Sequence, residues 1–132
     1  MSEFVEVKTS ELLDGALDWA VAKAEGFDIR RLKHEFRLSY NGTDTGLLRK
    51  KASGFKVATP HFWQPSVDWN GCGRLIEKYA IEFEWITDLT LRAEIPVCGT
   101  SAHARTHLIA ACRAIVASVL GDTVSVPKEL LS

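Results

Sequence analysis

From residue 106 onward one pattern runs without interruption. Leu108, Ile109, Ala111, Cys112, Ile115, Val116, Val119 and Leu120 recur at three- and four-residue spacing. A helix gathers that spacing on one side, giving a wide apolar stripe. Thr106 stands where an N-cap hydroxyl is wanted and Gly121 where a helix terminates. A second stripe runs through Leu13, Ala16, Leu17, Ala20, Val21 and Ala24. Thr9 or Ser10 is its expected cap, Glu11 and Asp14 suit its early turns, and Gly26 follows its end near Glu25.

Between and around these helices the period falls to two. Phe4-Val5-Glu6-Val7-Lys8 alternates as a first strand. His34 to Tyr40 puts Phe36, Leu38 and Tyr40 on one face and Arg37 on the other. A turn cluster from Asn41-Gly42 through Gly46 follows, and Phe55-Lys56-Val57 resumes a strand. The segment around 28–58 thus reads as a hairpin with a long connection across 41–54. Thr59 to Trp69 is a loop marked by Pro60 and Pro65, and Asn70-Gly71-Cys72-Gly73 leads into a short helix over Arg74 to Tyr79. Ala80 to Ile86 and Leu89 to Ile95 pair about Thr87-Asp88, Pro96 to Thr106 is a polar loop, and Val124 and Val126 add a short edge strand. These elements predict an α+β fold, with two main helices packed on a mainly antiparallel sheet of about five strands. One domain covers 1–132.

Composition agrees. The 132 residues are 46% apolar and 25% charged, too apolar for disorder, and no stretch approaches the roughly 18 apolar residues of a membrane span. Three widely spaced cysteines, Cys72, Cys98 and Cys112, do not make a disulfide framework. The acidic Met1-Ser2-Glu3 start lacks the apolar region of a signal peptide. Free thiols in a reducing cytosol are expected, with Cys112 in the core; Cys72, between two glycines, is the only thiol with a plausible reactive setting.

The formal net charge of −1 conceals an uneven distribution. Residues 1–27 carry six anions and two cations, a net of −4. Residues 28–56 carry eight cations and three anions, a net of +5. The remainder, with six cations and eight anions, nets −2. The hairpin is therefore basic, and Arg49, Lys50 and Lys51 are its candidate contact with an acidic protein or a nucleic acid.

Three blocks of sequence resemble the phage NinX-like family. Val7-Lys8-Thr9-Ser10-Glu11-Leu12 with Ala16 through Gly26 is similar to that family's N-terminus. Pro65-Ser66-Val67-Asp68-Trp69 with Gly71-Cys72-Gly73-Arg74-Leu75-Ile76-Glu77 resembles its P-S-x-D-W-x-x-G-G-x-L-I-E stretch. Leu108 through Ala117 and Gly121 through Pro127 resemble its final helix and tail. The chain departs from the pattern at Cys72, where the family has Gly, and at His107, where it has Pro. Phe27 to Phe62 has no counterpart, so the basic hairpin reads as an insertion. The resemblance implies a small accessory protein of a tailed phage or prophage, acting in the cytoplasm of the bacterial host. It brings no catalytic residues with it.

The residues themselves nominate a site for a small anion. Asp68 to Arg74 offers two glycines before a helix start, where unpaired N–H groups favour phosphate or carboxylate and Arg74 adds a bidentate donor. Asp68 capping and Trp69 packing explain the same residues as a plain turn. Trp63 and Trp69 supply aromatic faces for a base, or a small core beneath the loop. Arg105 and the Thr106 hydroxyl form a second such helix start. His103 and His107, four apart with Cys98 before them, lack a fourth metal ligand. Glu82 and Glu84 read as a solvated sheet face. With no nucleophile–base pair and no cofactor motif, the expectation is a non-catalytic protein that binds and sequesters a nucleotide-like anion. A protein-interaction module acting through the hairpin and a nucleic-acid binder are the alternatives. Homodimerisation through Trp85, Leu89 and Leu91 is a further expectation.

Overall fold

The computed structural model describes residues 3–32, 35–40, 42–49 and 63–131. In order these form β1 (Phe4–Lys8), a 3-10 turn (Thr9–Glu11), α1 (Asp14–Ala24), β2 (Asp28–Arg31), β3 (Glu35–Tyr40) and β4 (Thr43–Arg49). Then come α2 (Trp69–Lys78), β5 (Glu82–Trp85), β6 (Leu91–Ile95), β7 (Thr100–Ala104), α3 (His107–Leu120), β8 (Thr123–Pro127) and a second 3-10 turn (Lys128–Leu130). The class is α+β as expected. The described residues hold three helices and eight strands, and the strands form three antiparallel sheets rather than one: β1-β8, β2-β3-β4 and β5-β6-β7. None of the helices is long and apolar enough to cross a membrane.

The width of the α3 stripe explains this division. Leu108, Ala110, Ala111, Cys112, Ala114, Ile115 and Val116 are all buried, because α3 lies against β6 and β7, against α1 and against α2. Its alanines let those neighbours approach closely, while Ile115 and Val116 each contribute about 1.5–3 kcal/mol of burial. The inner face of β6 (Leu91, Ala93, Ile95) meets it with Ala102 and Ala104 of β7. α1 is buried through seven consecutive residues, Ala16 to Ala22, so its apolar face is wider than its leucine spacing shows. A single apolar cluster joins α1, α2, α3 and residues of all three sheets.

Four local expectations differ from the structure. α2 begins at Trp69, not Arg74, so Gly71 and Gly73 are helical rather than part of a preceding loop. Burial decides the matter: Cys72 and Leu75, three apart, dock on the core, and glycine's weaker propensity is overridden. α1 starts at Asp14, and neither Thr9 nor Ser10 caps it. Thr9 instead turns its hydroxyl to donate to the Gly121 carbonyl at 2.7 Å. The polar loop of Pro96 to Thr106 contains β7, whose small side chains suit a strand lying directly under α3. β4 begins at Thr43, immediately after the Gly42 turn, and pairs with β3 through an irregularity at Leu38/Ser39. The strand expected at Phe55-Lys56-Val57 lies outside the described residues.

Candidate ligand site at the starts of two helices

The loop before α2 is held from below by α1. Trp63 donates from Nε1 to the Asp18 carbonyl at 2.8 Å and sets its ring edge-on to Phe27, with centroids 5.0 Å apart. The Ser66 N–H donates to Asp18 Oδ1 at 2.8 Å. Asp18 is 4% exposed, and burial pushes its carboxyl up to about 7, with the Ser66 hydrogen bond pulling the other way. Asp68 then caps α2 by accepting from Asn70 N–H at 3.0 Å. Trp69 follows as the first helical residue, 59% exposed.

α3 starts beside it. Thr106 accepts from Ile109 N–H at 3.2 Å, the capping bond expected from sequence, and Arg105 before it is exposed. His107 opens the helix inside a ring of aromatics: Trp69 of α2 at 5.9 Å, Phe83 of β5 at 4.9 Å and Trp85 of β5 at 5.8 Å between centroids. The alternation of β5 puts Phe83 and Trp85 on the same side of the sheet as α3. Trp85, on an edge strand, remains 53% exposed.

The structure thus brings Trp69 together with the Arg105–Thr106 helix start, His107 being the link. Asp68 belongs to the same corner as the cap of α2. Trp63 stands apart, committed to α1 and Phe27. Arg74 is exposed and lies about 140° around α2 from Trp69, so the two do not share a face. Lys50 and Lys51 lie outside the described residues, as does the side chain of Arg49. His107 and Trp85 were not singled out by sequence as site residues. The inward parity of Phe83 and Trp85 on β5 is the signal that carries them.

The remaining chemistry is distributed elsewhere. Glu82, Glu84 and Glu94 line a concavity of about 300 Å³ with Arg92, which bonds Glu94 at 2.7 Å, on the opposite sheet face. A larger cavity, about 380 Å³, lies where Phe4, Trp19, Phe27 and Phe36 meet Lys23 and Arg31. Cys98 is the exposed thiol, and hydrogen bonding with Thr100 holds it below the ordinary thiol range. Cys72, the one thiol in a plausible reactive setting by sequence, is buried, because the glycines beside it are helical and not open loop. Cys112 is in the core as expected. Among the described residues no three His, Cys, Asp or Glu side chains converge as a metal site would.

The family model for bacteriophage P22 NinX matches residues 8–119. The chain belongs to this family. The NinX match spans every element from α1 through α3 except Leu120, the last residue of α3, so the β2–β4 segment and both helix starts fall inside it. No curated protein matches the chain.

Proposed function

We propose that this NinX-family chain is a non-catalytic phage accessory protein that binds a small planar anion of nucleotide type at the paired starts of α2 and α3. The observation that carries this reading is the half-exposed pair Trp69 and Trp85 beside His107 at the first residue of a 14-residue helix. An aromatic face stacks a base at roughly 1–3 kcal/mol. Thr106 occupies the Ile109 N–H, leaving the His107 and Leu108 amides at the positive end of the helix for a phosphate. Arg105 is the nearby cation. Sequestration in the host cytoplasm is the corresponding role.

Tryptophan fluorescence titrated with nucleoside mono- and diphosphates tests the reading. Saturable quenching is expected, weakened at least tenfold by Trp69→Ala or Arg105→Ala and unchanged by Arg74→Ala. A nucleotide that binds equally well to the Trp69→Ala variant overturns the siting.

A protein-interaction reading has its own support. Trp85, Ile86 and Leu89 are exposed together at the β5–β6 end, although Leu91 is buried and drops out of the expected dimer patch. Sedimentation that shows self-association abolished by Leu89→Asp would favour it. The basic-hairpin version, through Arg49, Lys50 and Lys51, is tested by charge reversal at those positions in a pull-down from infected cells. Nucleic-acid binding requires association that weakens steeply with salt.

A further inference from the structure

Cys72 on α2 and Cys112 on α3 are both fully buried, and their Sγ atoms stand 3.9 Å apart. Small neighbours let the two helices meet: Gly71 and Gly73 flank one thiol, and Ala110, Ala111 and Ala114 surround the other. Asp18, buried on α1, lies within electrostatic reach of both sulfurs, and Asp68 at the α2 cap within reach of Cys72. The thiols are not equivalent. Their mutual hydrogen bond holds Cys72 below the ordinary thiol range and pushes Cys112 well above it. Cys72 also sits in the first turn and a half of its helix, where the backbone favours a thiolate.

We propose that Cys72 and Cys112 form a redox-active dithiol, which a peroxide-class oxidant converts to an intramolecular disulfide joining α2 to α3. Cys72 is the attacking sulfur and Cys112 the resolving one. The Cys72 sulfur attacks one peroxide oxygen, the O–O bond breaks, and the departing hydroxide takes up the Cys72 proton as water. The product is a sulfenic acid on Cys72. The Cys112 sulfur then attacks that sulfur, the S–O bond breaks, and the second hydroxide leaves as water with the Cys112 proton. Two thiols lose two electrons and two protons, and one peroxide becomes two waters.

Bond formation requires the sulfurs to close by roughly 1.9 Å, to the 2.05 Å of a disulfide. α2 can make that movement. Cys72 and Leu75 are its buried side chains, so between its two fastened ends the helix has few anchors in the core, and its local opening admits a small oxidant. This inference is independent of the ligand site.

Trypsin leaves the three cysteines in separate peptides, 57–74, 93–105 and 106–113. A Cys98→Ser variant, which removes the exposed thiol, is treated with hydrogen peroxide, blocked with N-ethylmaleimide in denaturant and digested without reductant. Most of peptides 57–74 and 106–113 should appear as one linked species that dithiothreitol separates. In the same background, Cys112→Ala should raise dimedone capture of Cys72 sulfenic acid at least tenfold, since nothing resolves it. Recovery of both peptides unlinked, either carrying maleimide or separately over-oxidised, overturns the proposal, as does equal dimedone capture with and without Cys112.

Discussion

Asp18 carries two jobs on one residue. Its carbonyl holds Trp63 and its carboxyl holds the Ser66 amide, so the loop before α2 is fastened to α1 at a single helical position. The carboxyl is buried with no cation paired to it among the described residues, and its proton affinity rises with that burial, to about 7 from an unfolded value of 3.8. Linkage fixes the sign. Below the unfolded value both states hold the proton and Asp18 costs nothing. As pH rises from 4 to 7 the unfolded chain releases the proton while the folded chain keeps it, so stability is lost across that window and stays lost above it. The loss corresponds to roughly 4 kcal/mol at full value. Asp18→Asn keeps the Oδ1 acceptor and removes the charge. It should raise the urea midpoint at pH 8, leave it nearly unchanged at pH 4, and flatten the difference between them. A variant midpoint parallel to that of the parent across pH 4–8 would show that Asp18 does not titrate in this way. Residues of this kind were invisible in the sequence. In the sequence Asp18 stands between Leu17 and Trp19 of the first helical stripe, and nothing local announces that a loop some 48 positions away will cover it. The same is true of the tryptophans: Trp63 and Trp69 look alike in a loop, and only the partners assigned by folding separate an anchor from an exposed ring.

Helix ends were legible to the extent that their chemistry is local. Thr106 and Gly121 bracket α3 as the sequence pattern requires, with the cap bond made and Gly121 at φ 93°. The start of α2 was not legible, since two glycines signal a turn and only the docking of Cys72 and Leu75 makes them helical. Two other ends form an instructive pair. After α1, Gly26 N–H donates to Lys23 and Phe27 N–H to Ala22, closing a Schellman motif with Gly26 at φ 81°. After α2 the same bonds recur, from Ala80 to Glu77 and from Ile81 to Ile76, but the left-handed position is Ala80 at φ 51°. An alanine there is strained by about 1 kcal/mol relative to glycine. Ala80→Gly should therefore stabilise the protein by roughly 0.5–1 kcal/mol, although glycine loosens most helical proteins. Thermal denaturation decides it: a lower Tm would mean the strain is not felt. The far side of that turn is held independently, because Glu25 accepts from both Lys78 and Tyr79 and so joins the end of α2 to the end of α1.

For the molecule as a whole, the α+β class followed from period and order, while the number of sheets did not. Alternation identifies a strand without naming its partner, and β1 could have joined any neighbour. Its partner is β8, in a register running from Phe4↔Pro127 to Lys8↔Thr123. Arg31 of β2 reinforces the pair by bridging Glu3 and Glu129 at its margin. The pair also carries much of the contact between distant parts of the sequence: the Thr9 hydroxyl bond to Gly121 spans 112 positions. A chain truncated after residue 121 should leave β1 open, so limited proteolysis should cut within 4–12 far faster than in the full chain. Equal protection would show that β1 is held by something other than β8. The order of synthesis gives this pairing a further meaning. β1 leaves the ribosome before every other described element and its partner leaves last among the strands. Until then the edge that β1 gives to β8 stays unpaired. A product cut short before residue 127 therefore carries an unpaired β1, an extended segment open to proteases that the full-length chain holds in a sheet.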